Sequence, residues 1–291
     1  MSLPVEASRF AADWLALREP ADAQARSTRL TEQAAAWLER VDDRVIVDLG
    51  SGAGSNPRYL APRLPGPQHW RLVDHDPALL ALAVERLQAL TSSEGTPVEI
   101  FTWPHDLDRL EADWWEGAHL VTASALFDLV SREWLERLVD ECAGRGIALL
   151  ATLSVTGHWH FIDRDGRPAD TEEDASVAEL LRVHQRRDKG LGVALGGEAP
   201  DEIERLFTLY GYRVERDASP WQLTAGTSHG LSLGSALIDG WFDAACELAP
   251  QASEALGAWH AQRRSALASG ALGLWVEHCD LFASPAQGNA E

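Results

Sequence analysis

The stretch VIVDLGSGAGS at residues 45–55 decides the fold of this chain of 291 residues. The apolar residues around Asp48 predict a short buried strand, and the glycines that follow predict a tight turn leading into a helix. Gly50, Gly52 and Gly54 permit a close approach between backbone and ligand, because glycine carries no side chain. A strand, a glycine-rich turn and a helix in this order predict a ligand-binding turn in an α/β sheet.

Two kinds of ligand are open for this turn. A dinucleotide-binding turn has the pattern G-x-G-x-x-G, and its third glycine would fall at residue 55, where this chain has Ser55. The acid Asp48, two residues before the first glycine, favours a ligand with a positive charge over a pyrophosphate. S-adenosylmethionine carries an ammonium and a sulfonium group and no phosphate. The residues therefore favour S-adenosylmethionine, with a nicotinamide dinucleotide, and thus a nicotinamide-dependent oxidoreductase, as the alternative.

Two further acids follow predicted strands. Asp74 ends the strand within HWRLVDHDP at residues 69–77, about 20 residues after the turn, which is the spacing of an acid that binds ribose hydroxyls. Asp106 follows the alternating stretch at residues 97–102. Each acid alone is also compatible with an ordinary turn residue. Because the carboxyl ends of parallel strands form the ligand-binding edge of a sheet, acids at successive strand ends predict one site.

On these residues the chain resembles the class I S-adenosylmethionine-dependent methyltransferases, over residues 42–153 and more loosely over 200–224. The resemblance implies a Rossmann-like α/β fold: a seven-stranded, mostly parallel sheet with helices on both faces, and S-adenosylmethionine as the cofactor. It implies that Asp74 binds the ribose, that His75 lies along the adenine ring and that Asp106 binds the adenine amino group. Ser124, at the end of the fourth strand, would lie beside the methionine arm. The cofactor-binding residues predicted in this way are Asp48, Gly50, Ser51, Gly52, Gly54, Asp74, His75, Asp106, Leu107 and Ser124.

Charge and cysteine content limit the classes of partner. The chain has 45 acidic and 25 basic residues and a net charge of −20, which disfavours binding to nucleic acid or to an anionic membrane. No apolar run reaches the roughly 18–20 residues of a membrane span, and the N-terminus does not read as a signal peptide. The widely spaced cysteines fit reduced thiols better than a disulfide framework or a zinc site. We therefore expect a cytoplasmic monomer or homodimer.

Sequence patterns divide the chain into three parts. These are an N-terminal helical cover at residues 1–41, a methyltransferase core at 42–225 with an insertion at about 155–199, and a C-terminal helical extension at 226–291. The cover reads as two amphipathic helices broken near Pro20. Its arginines, Arg18, Arg26 and Arg29, either reach a carboxylate in the site or form a solvated surface. Residues 221–223 predict the last strand, and residues 228–282 predict about three helices.

Methyl transfer from a sulfonium is an in-line displacement, in which the enzyme positions the acceptor and excludes water, and a general base is optional. The sequence therefore predicts the cofactor more sharply than the acceptor, which we expect to be a small molecule. Neither its identity nor the methylated atom follows from the residues. A non-catalytic module that binds S-adenosylmethionine is a further alternative to the enzyme.

The residues that we expect near the acceptor lie after the fourth and fifth strands and in the insertion. They are Asp128, His158, His160, His184, Arg187 and Lys189. His158 and His160 share one face of a predicted strand, and His160 is the candidate catalytic residue. A histidine pair that merely closes a hairpin against the core is an equal alternative. No third residue accompanies the pair at a metal-ligand spacing, so we predict no metal site.

Overall fold

The computed structural model describes residues 5–188 and 190–286, without the side chains of residues 5–11 and 112. It contains a central sheet flanked by helices. The strands are β1 (Arg44–Leu49), β2 (Gln68–Asp74), β3 (Val98–Pro104), β4 (Ala118–Ser124), β5 (Ala148–Ile162), β6 (Tyr212–Ala218), β7 (Trp221–Leu223) and β8 (Gly273–Pro285). The helices are α1 (Val5–Ala25), α2 (Thr28–Leu38), α3 (Ser55–Leu60), α4 (Pro77–Leu87), α5 (Arg132–Arg145), α6 (Glu172–Gln185), α7 (Ala199–Leu209), α8 (Ser228–Leu248) and α9 (Ser253–Ala268).

The sheet follows the order β3-β2-β1-β4-β5-β8-β6, and the short strand β7 pairs with β8 beside this path. Strands β1 to β5 are parallel, whereas β8 runs antiparallel to β5, β6 and β7. The order reverses direction at β1, which leaves a crevice at the carboxyl ends of β1 and β4. The predicted Rossmann-like, mostly parallel α/β sheet is confirmed, with β7 as an eighth strand outside the seven in order.

Alternation along β1 places apolar side chains on both faces of the sheet. Val47 and Leu49 belong to a buried cluster that includes Trp134 of α5 and Phe207 of α7. Ile46 points to the opposite face and belongs to a cluster with residues of α2 and α4. A third cluster joins β7 and β8 to helices α6, α8 and α9. Helices therefore cover both faces of the sheet, as the sequence predicts.

The N-terminal segment differs from the prediction. Helix α1 continues through Pro20, and the chain leaves the helix only at Arg26 and Ser27. Ser27 is extended, with a ψ of 113°, and its side chain accepts a hydrogen bond from the amide of Leu30 as the N-cap of α2. Proline removes one backbone donor from a helix. Here the loss of that donor does not end the helix. Helix α1 continues to Ala25, two residues before Ser27 caps α2.

The C-terminal prediction of about three helices over residues 228–282 is wrong for its last part. Two helices, α8 and α9, are followed by β8, which lies between β5 and β6 and makes β8, not β7, the last strand. Most of β8 is buried, including the polar residues His278 and Asp280. An apolar run interrupted by buried polar residues does not show whether it is helix or strand, because neither alternation nor helical spacing is clear.

The described residues contain no helix long and apolar enough to cross a membrane.

Candidate ligand-binding site at the carboxyl edge of the sheet

A cavity of about 370 Å³ opens at the carboxyl ends of β1, β2, β3 and β4. It is lined by residues of these strand ends, of α1 and of the loop after α6. They are Leu15, Arg18, Asp22, Gly50, Ser51, Gly52, Ser55, Asn56, Asp74, His75, Asp106, Leu107, Ser124, Ala125, Leu126, Leu129, Gly190 and Leu191. Eight of the ten predicted cofactor-binding residues are among them, whereas Asp48 and Gly54 are not. The structure thus brings together residues that are far apart in sequence.

The glycine turn forms the floor of the cavity. Gly50 and Gly52 have φ values of +65° and +51°, a region that favours glycine. The amides of Gly50 and Ser51 both donate to the carbonyl of Val73, at 2.9 and 3.2 Å. The amide of Gly52 donates to Asp74 Oδ2 at 2.8 Å. The turn is therefore held against the end of β2 by its own amides.

Two backbone amides fix the carboxylate of Asp74 in the cavity wall. Its Oδ2 accepts from Gly52, and its Oδ1 accepts from the amide of Asp76 at 2.9 Å. The ring nitrogen Nδ1 of the exposed His75 lies 3.4 Å from Oδ1. Since a carboxylate oxygen has two lone pairs, both oxygens can accept a further hydrogen bond from a ligand.

Asp106 and Leu107 complete the wall after β3. Asp106 is exposed, and its Oδ1 accepts from the amide of Asp108 at 3.2 Å. Leu107 is buried, and its carbonyl accepts a hydrogen bond from the indole of Trp134. This side of the cavity therefore combines an accessible carboxylate with an apolar surface.

Asp48 lies beneath the turn instead of in the cavity wall. It is 1% exposed, and its Oδ1 accepts from Asn56 Nδ2 at 2.6 Å. Its Oδ2 has no hydrogen-bond partner among the described residues. Burial raises the pKa of Asp48 to about 7, against the opposing effect of the hydrogen bonds from Asn56 and Ser51. From the sequence we expected Asp48 to bind the ligand directly. The structure instead buries it beneath the turn, outside the cavity lining.

Gly54 has a packing role in the turn. Its φ is +78°, and a Cβ added there would lie 3.1 Å from the Cβ of Ala83 and from a methyl group of Leu87. The missing side chain allows α3 to approach α4 closely, which is a different reason for glycine than contact with a ligand.

Arg26, between the two N-terminal helices, is hydrogen-bonded to two residues that line the cavity, although it does not line the cavity itself. It is buried and donates to Asn56 Oδ1 and, at 3.0 Å, to Ser124 Oγ. Asn56 in turn donates to Asp48 and, at 3.1 Å, to Thr122 Oγ1. We call Arg26, Asn56, Asp48 and Ser124 the buried network. Arg26 was among the arginines named from the sequence. Asn56 was not, because its only local signal is that it is a polar residue in the first turn of α3.

Helix α1 forms the roof of the cavity through Leu15, Arg18 and Asp22. A Cβ added to Gly52 would lie 3.0 Å from a methyl group of Leu15, so the helix passes directly over the turn. Arg18 donates to Asp22 from Nε at 2.9 Å and from Nη2 at 3.2 Å. Asp22 also accepts from the indole of Trp221 at 3.0 Å. Leu15 and Asp22 were missed, because nothing local distinguishes them from other helix residues.

Those of the expected acceptor residues that the structure describes do not line this cavity. His160 Nδ1 lies 2.8 Å from Asp170 Oδ2, and His158 Nδ1 lies 3.7 Å from Glu277 Oε2. Both histidines are exposed on the distal half of β5. We call this surface, with His158, His160 and their acidic partners, the insertion face.

The other expected acceptor residues also lie elsewhere. Asp128 lies in the short turn Phe127–Leu129, in which Leu129, but not Asp128, lines the cavity. Arg187 Nη1 and His184 Nε2 lie 3.0 and 3.3 Å from Glu247 Oε2 of α8. Lys189 lies outside the described residues. The described residues contain no cluster of ligands suited to a metal ion.

No family model matches the chain, and no curated protein matches its sequence. Among solved structures, it is similar to a cyclopropane synthase from Mycobacterium tuberculosis, with 11% identity over 87% of this chain and 82% of the other and a TM-score of 0.44. It is also similar to a methyltransferase from Thiobacillus denitrificans in complex with S-adenosylhomocysteine, with 14% identity, coverages of 98% and 100% and a TM-score of 0.43. A methyltransferase from Geobacter sulfurreducens, in the same kind of complex, has 14% identity, coverages of 90% and 92% and a TM-score of 0.41.

The strand order and the placement of polar residues at the strand ends carry the conclusion on the fold, independently of these similarities. The order of the parallel strands β1 to β5 across the sheet reverses at β1. The glycine turn and Asp74 lie at that reversal. The chain therefore has a Rossmann-like, mostly parallel α/β fold with a ligand-binding edge at the point where the strand order reverses.

Proposed function

We propose that this protein transfers a methyl group from S-adenosylmethionine to a small-molecule acceptor. The observation that carries the proposal is the arrangement of Asp74. Its carboxylate is fixed by two backbone amides beside the glycine turn and lines one cavity together with Asp106 and Ser124. A preorganised carboxylate at the end of the second strand suits a ribose, whose two hydroxyls are hydrogen-bond donors.

The residues of the cavity fit the parts of this cofactor. Asp74 would accept the ribose hydroxyls, and Asp106 would accept from the adenine amino group. Leu107 and His75 would lie against the adenine ring. The methionine arm would pass along the glycine turn and reach Ser124. A volume of about 370 Å³ lies within the range of small-molecule sites.

The same turn argues against a nicotinamide dinucleotide. A pyrophosphate is bound by free backbone amides at the start of a helix. Here the amides of Gly50 and Ser51 donate to Val73, and the amide of Gly54 donates to the carbonyl of Ser51 at 2.9 Å. With Gly52 bound to Asp74, four amides of the turn are already used within the chain. A ligand without phosphate is therefore the better match.

The chain would act mainly by positioning. When bound, S-adenosylmethionine supplies a methyl group on a sulfonium, which is already an activated leaving group. Leu15 above Gly52, together with Leu126 and Leu129 in the cavity lining, would exclude water from the reacting atoms. The wall between Ser124 and Leu191 would hold the acceptor in line with the methyl group. The proposal requires no general base, and it does not give that role to His160.

The acceptor would be bound by the segments that lie outside the sheet. Leu15 comes from the N-terminal cover, and Gly190 and Leu191 come from the predicted insertion. The strand ends are committed to the cofactor, so these segments are left to form the acceptor side. The net charge of −20 favours a small acceptor over nucleic acid. The free cysteines Cys142, Cys246 and Cys279 support a reducing, cytoplasmic setting.

Calorimetric titration with S-adenosylhomocysteine and with NADH tests the proposal. We expect saturable binding of S-adenosylhomocysteine and none of NADH. Binding of NADH that S-adenosylhomocysteine does not displace would instead support the oxidoreductase. If S-adenosylhomocysteine binds, a screen of small acceptors for methyl transfer distinguishes an enzyme from a module that only binds the cofactor.

A further inference from the structure

The cavity is electrostatically asymmetric. Asp74 and Asp106 lie at the ends of β2 and β3, on one side of the sheet. Arg18 is the one arginine or lysine among the residues described as lining the cavity. Its guanidinium lies 5.1 Å from the ring centre of Trp221 in β7, which pairs with β8 on the other side of the sheet. The arginine therefore stands opposite the end at which the ribose and adenine would bind.

Arg18 has hydrogen-bonding capacity to spare. Its side chain is 14% exposed, and both hydrogen bonds described for it go to Asp22, from Nε and Nη2. That pairing uses one edge of the planar guanidinium. The second edge, formed by Nη1 and Nη2, matches a further carboxylate with two parallel hydrogen bonds.

Asp22 has a complementary capacity. Its Oδ1 accepts from Arg18 and from Trp221, whereas its Oδ2 accepts only from Arg18 among the described hydrogen bonds. One lone pair of Oδ2 therefore remains for a donor. Asp22 is 5% exposed and lines the cavity, so a cation there would be largely removed from water. Arg18 and Asp22 are thus a paired cation and anion, side by side on one helix.

From this geometry we propose that the Arg18–Asp22 pair of α1 binds the α-amino acid end of the cofactor. Arg18 binds the carboxylate through its Nη1 and Nη2 edge, and Asp22 accepts from the ammonium. The inference rests on the proposed function, because it assigns a subsite of the same cavity. A zwitterion against an ion pair leaves every charge compensated, which suits a site that is mostly closed to water.

The proposal gives α1 a specific purpose. Glu19 on the same helix forms an ion pair with Arg58, in which Arg58 Nη2 lies 2.6 Å from Glu19 Oε2. Arg26, the first residue after the C-terminal end of the helix, donates a hydrogen bond to Asn56 Oδ1. The helix is therefore anchored on both sides of Asp22, which keeps the ion pair in place before the ligand arrives. Such preorganisation reduces the entropy lost on binding.

The test combines truncated ligands with substitutions in the full-length protein. The ligands are S-adenosylhomocysteine and its analogues without the carboxyl group or without the amino group, titrated by calorimetry. In the unchanged protein, loss of the carboxyl group is expected to weaken binding about ten- to a hundredfold, the range of charge-assisted hydrogen bonds. In Arg18→Gln this difference is expected to fall below about threefold, because the partner of the carboxylate is gone.

Asp22→Asn provides an independent arm. It should remove the penalty for loss of the amino group and keep the penalty for loss of the carboxyl group. Arg29→Gln is the matched control, since Arg29 lies on the same N-terminal segment but pairs with Glu215 outside the cavity. It should leave all three affinities unchanged. Thermal melts of each variant report whether it is folded.

The outcomes separate the inference from the function. If the unchanged protein binds none of the three ligands, the proposed function fails. If it binds them and Arg18→Gln keeps the full carboxyl penalty, the inference is wrong. Equal weakening of all three ligands in a folded Arg18→Gln protein also overturns it, since Arg18 would then act on the shape of the cavity alone.

Discussion

Two regions of this molecule carry acidic and basic side chains that a sequence reader would consider for chemistry: the cavity at the strand ends and the insertion face. In the cavity, the side chain of Asp74 is 8% exposed and that of Arg18 is 14% exposed. On the insertion face, His160 is 47% and Asp170 is 29% exposed. Asp74 is held by two backbone amides and Arg18 by Asp22 inside a largely closed cavity. On the insertion face, the exposed His160 contacts Asp170, which also accepts from the amide of Phe161.

The difference shows which polar groups are available for a ligand. An exposed ion pair is screened by water and adds about 0–1 kcal/mol to stability, so it requires no functional explanation. A buried polar group is costly unless it is bonded, and its position is therefore determined by its surroundings. Polar side chains that are fixed in this way around a cavity are better indicators of a site than a histidine–carboxylate pair on the surface.

The largest expected effect comes from the buried network. Arg26→Gln should lower the free energy of unfolding by roughly 2–4 kcal/mol, because it removes charge-assisted hydrogen bonds to Asn56 and Ser124. Urea denaturation measures the change. As a comparison with an exposed arginine, Arg187→Gln breaks the ion pair with Glu247 at the surface. It should lower the free energy of unfolding by less than about 1 kcal/mol. Equal losses in the two variants would erase the contrast between the regions.

The second effect concerns ligand affinity. Asp74→Ala should weaken S-adenosylhomocysteine binding at least tenfold, since each charge-assisted hydrogen bond contributes roughly 1.5–3 kcal/mol. It also removes the acceptor that holds the amide of Gly52. Calorimetry measures the affinity, and circular dichroism confirms the fold. The matched control is Asp170→Ala on the insertion face, which should bind normally. Unchanged affinity in folded Asp74→Ala would make Asp74 an ordinary turn residue.

A third effect is a pH dependence that the buried network imposes on stability. Burial raises the pKa of Asp48 from 3.8 to about 7 in the folded chain. Between these values the folded state holds a proton that the unfolded state has released, so the free energy of unfolding should fall as the pH rises. For one proton, the slope is at most about 1.4 kcal/mol per pH unit, or about 2 kcal/mol between pH 5 and pH 7.

Asp48→Asn tests this origin, because it keeps the shape of the side chain and cannot titrate. Urea denaturation at pH 5 and pH 7 should show a smaller difference in the variant than in the unchanged protein. Asp165→Asn serves as the control, since the Asp165 side chain is 72% exposed. If Asp48→Asn keeps the full difference, another group is responsible for it.

The smallest expected effect is on the insertion face. His160→Asn removes a contact with Asp170 that is exposed to water, and it should change S-adenosylhomocysteine affinity by less than about twofold and stability by less than about 1 kcal/mol. Once an acceptor is known, turnover by the variant should also be near normal. A large loss of turnover with intact cofactor binding would place His160 in the reaction and give the two regions a shared role.

Most of the sheet and the cofactor side of the cavity were predictable from the sequence. The apolar run of β1 and the glycines after it are local patterns. The carboxyl ends of parallel strands meet at one edge of the sheet whatever the rest of the chain does. Asp74 and Asp106 could therefore be placed in one site before the structure was known. The position of His160 could not, because an exposed face of a strand and a face turned to a cavity have the same alternation.

By itself, the sequence determined the ligand-binding edge: the turn after β1, the acids after β2 and β3, and the parallel order that brings them together. Only the tertiary structure decided that β8 enters the sheet between β5 and β6, that Asp48 is buried beneath the turn, and that Arg18 and Asp22 of α1 form the roof of the cavity. The physical reason is the range of the interactions. Strand and turn patterns arise between neighbours in the chain, whereas these three features depend on contacts such as that of Asp22 with Trp221, which are distant in sequence and leave no local periodicity.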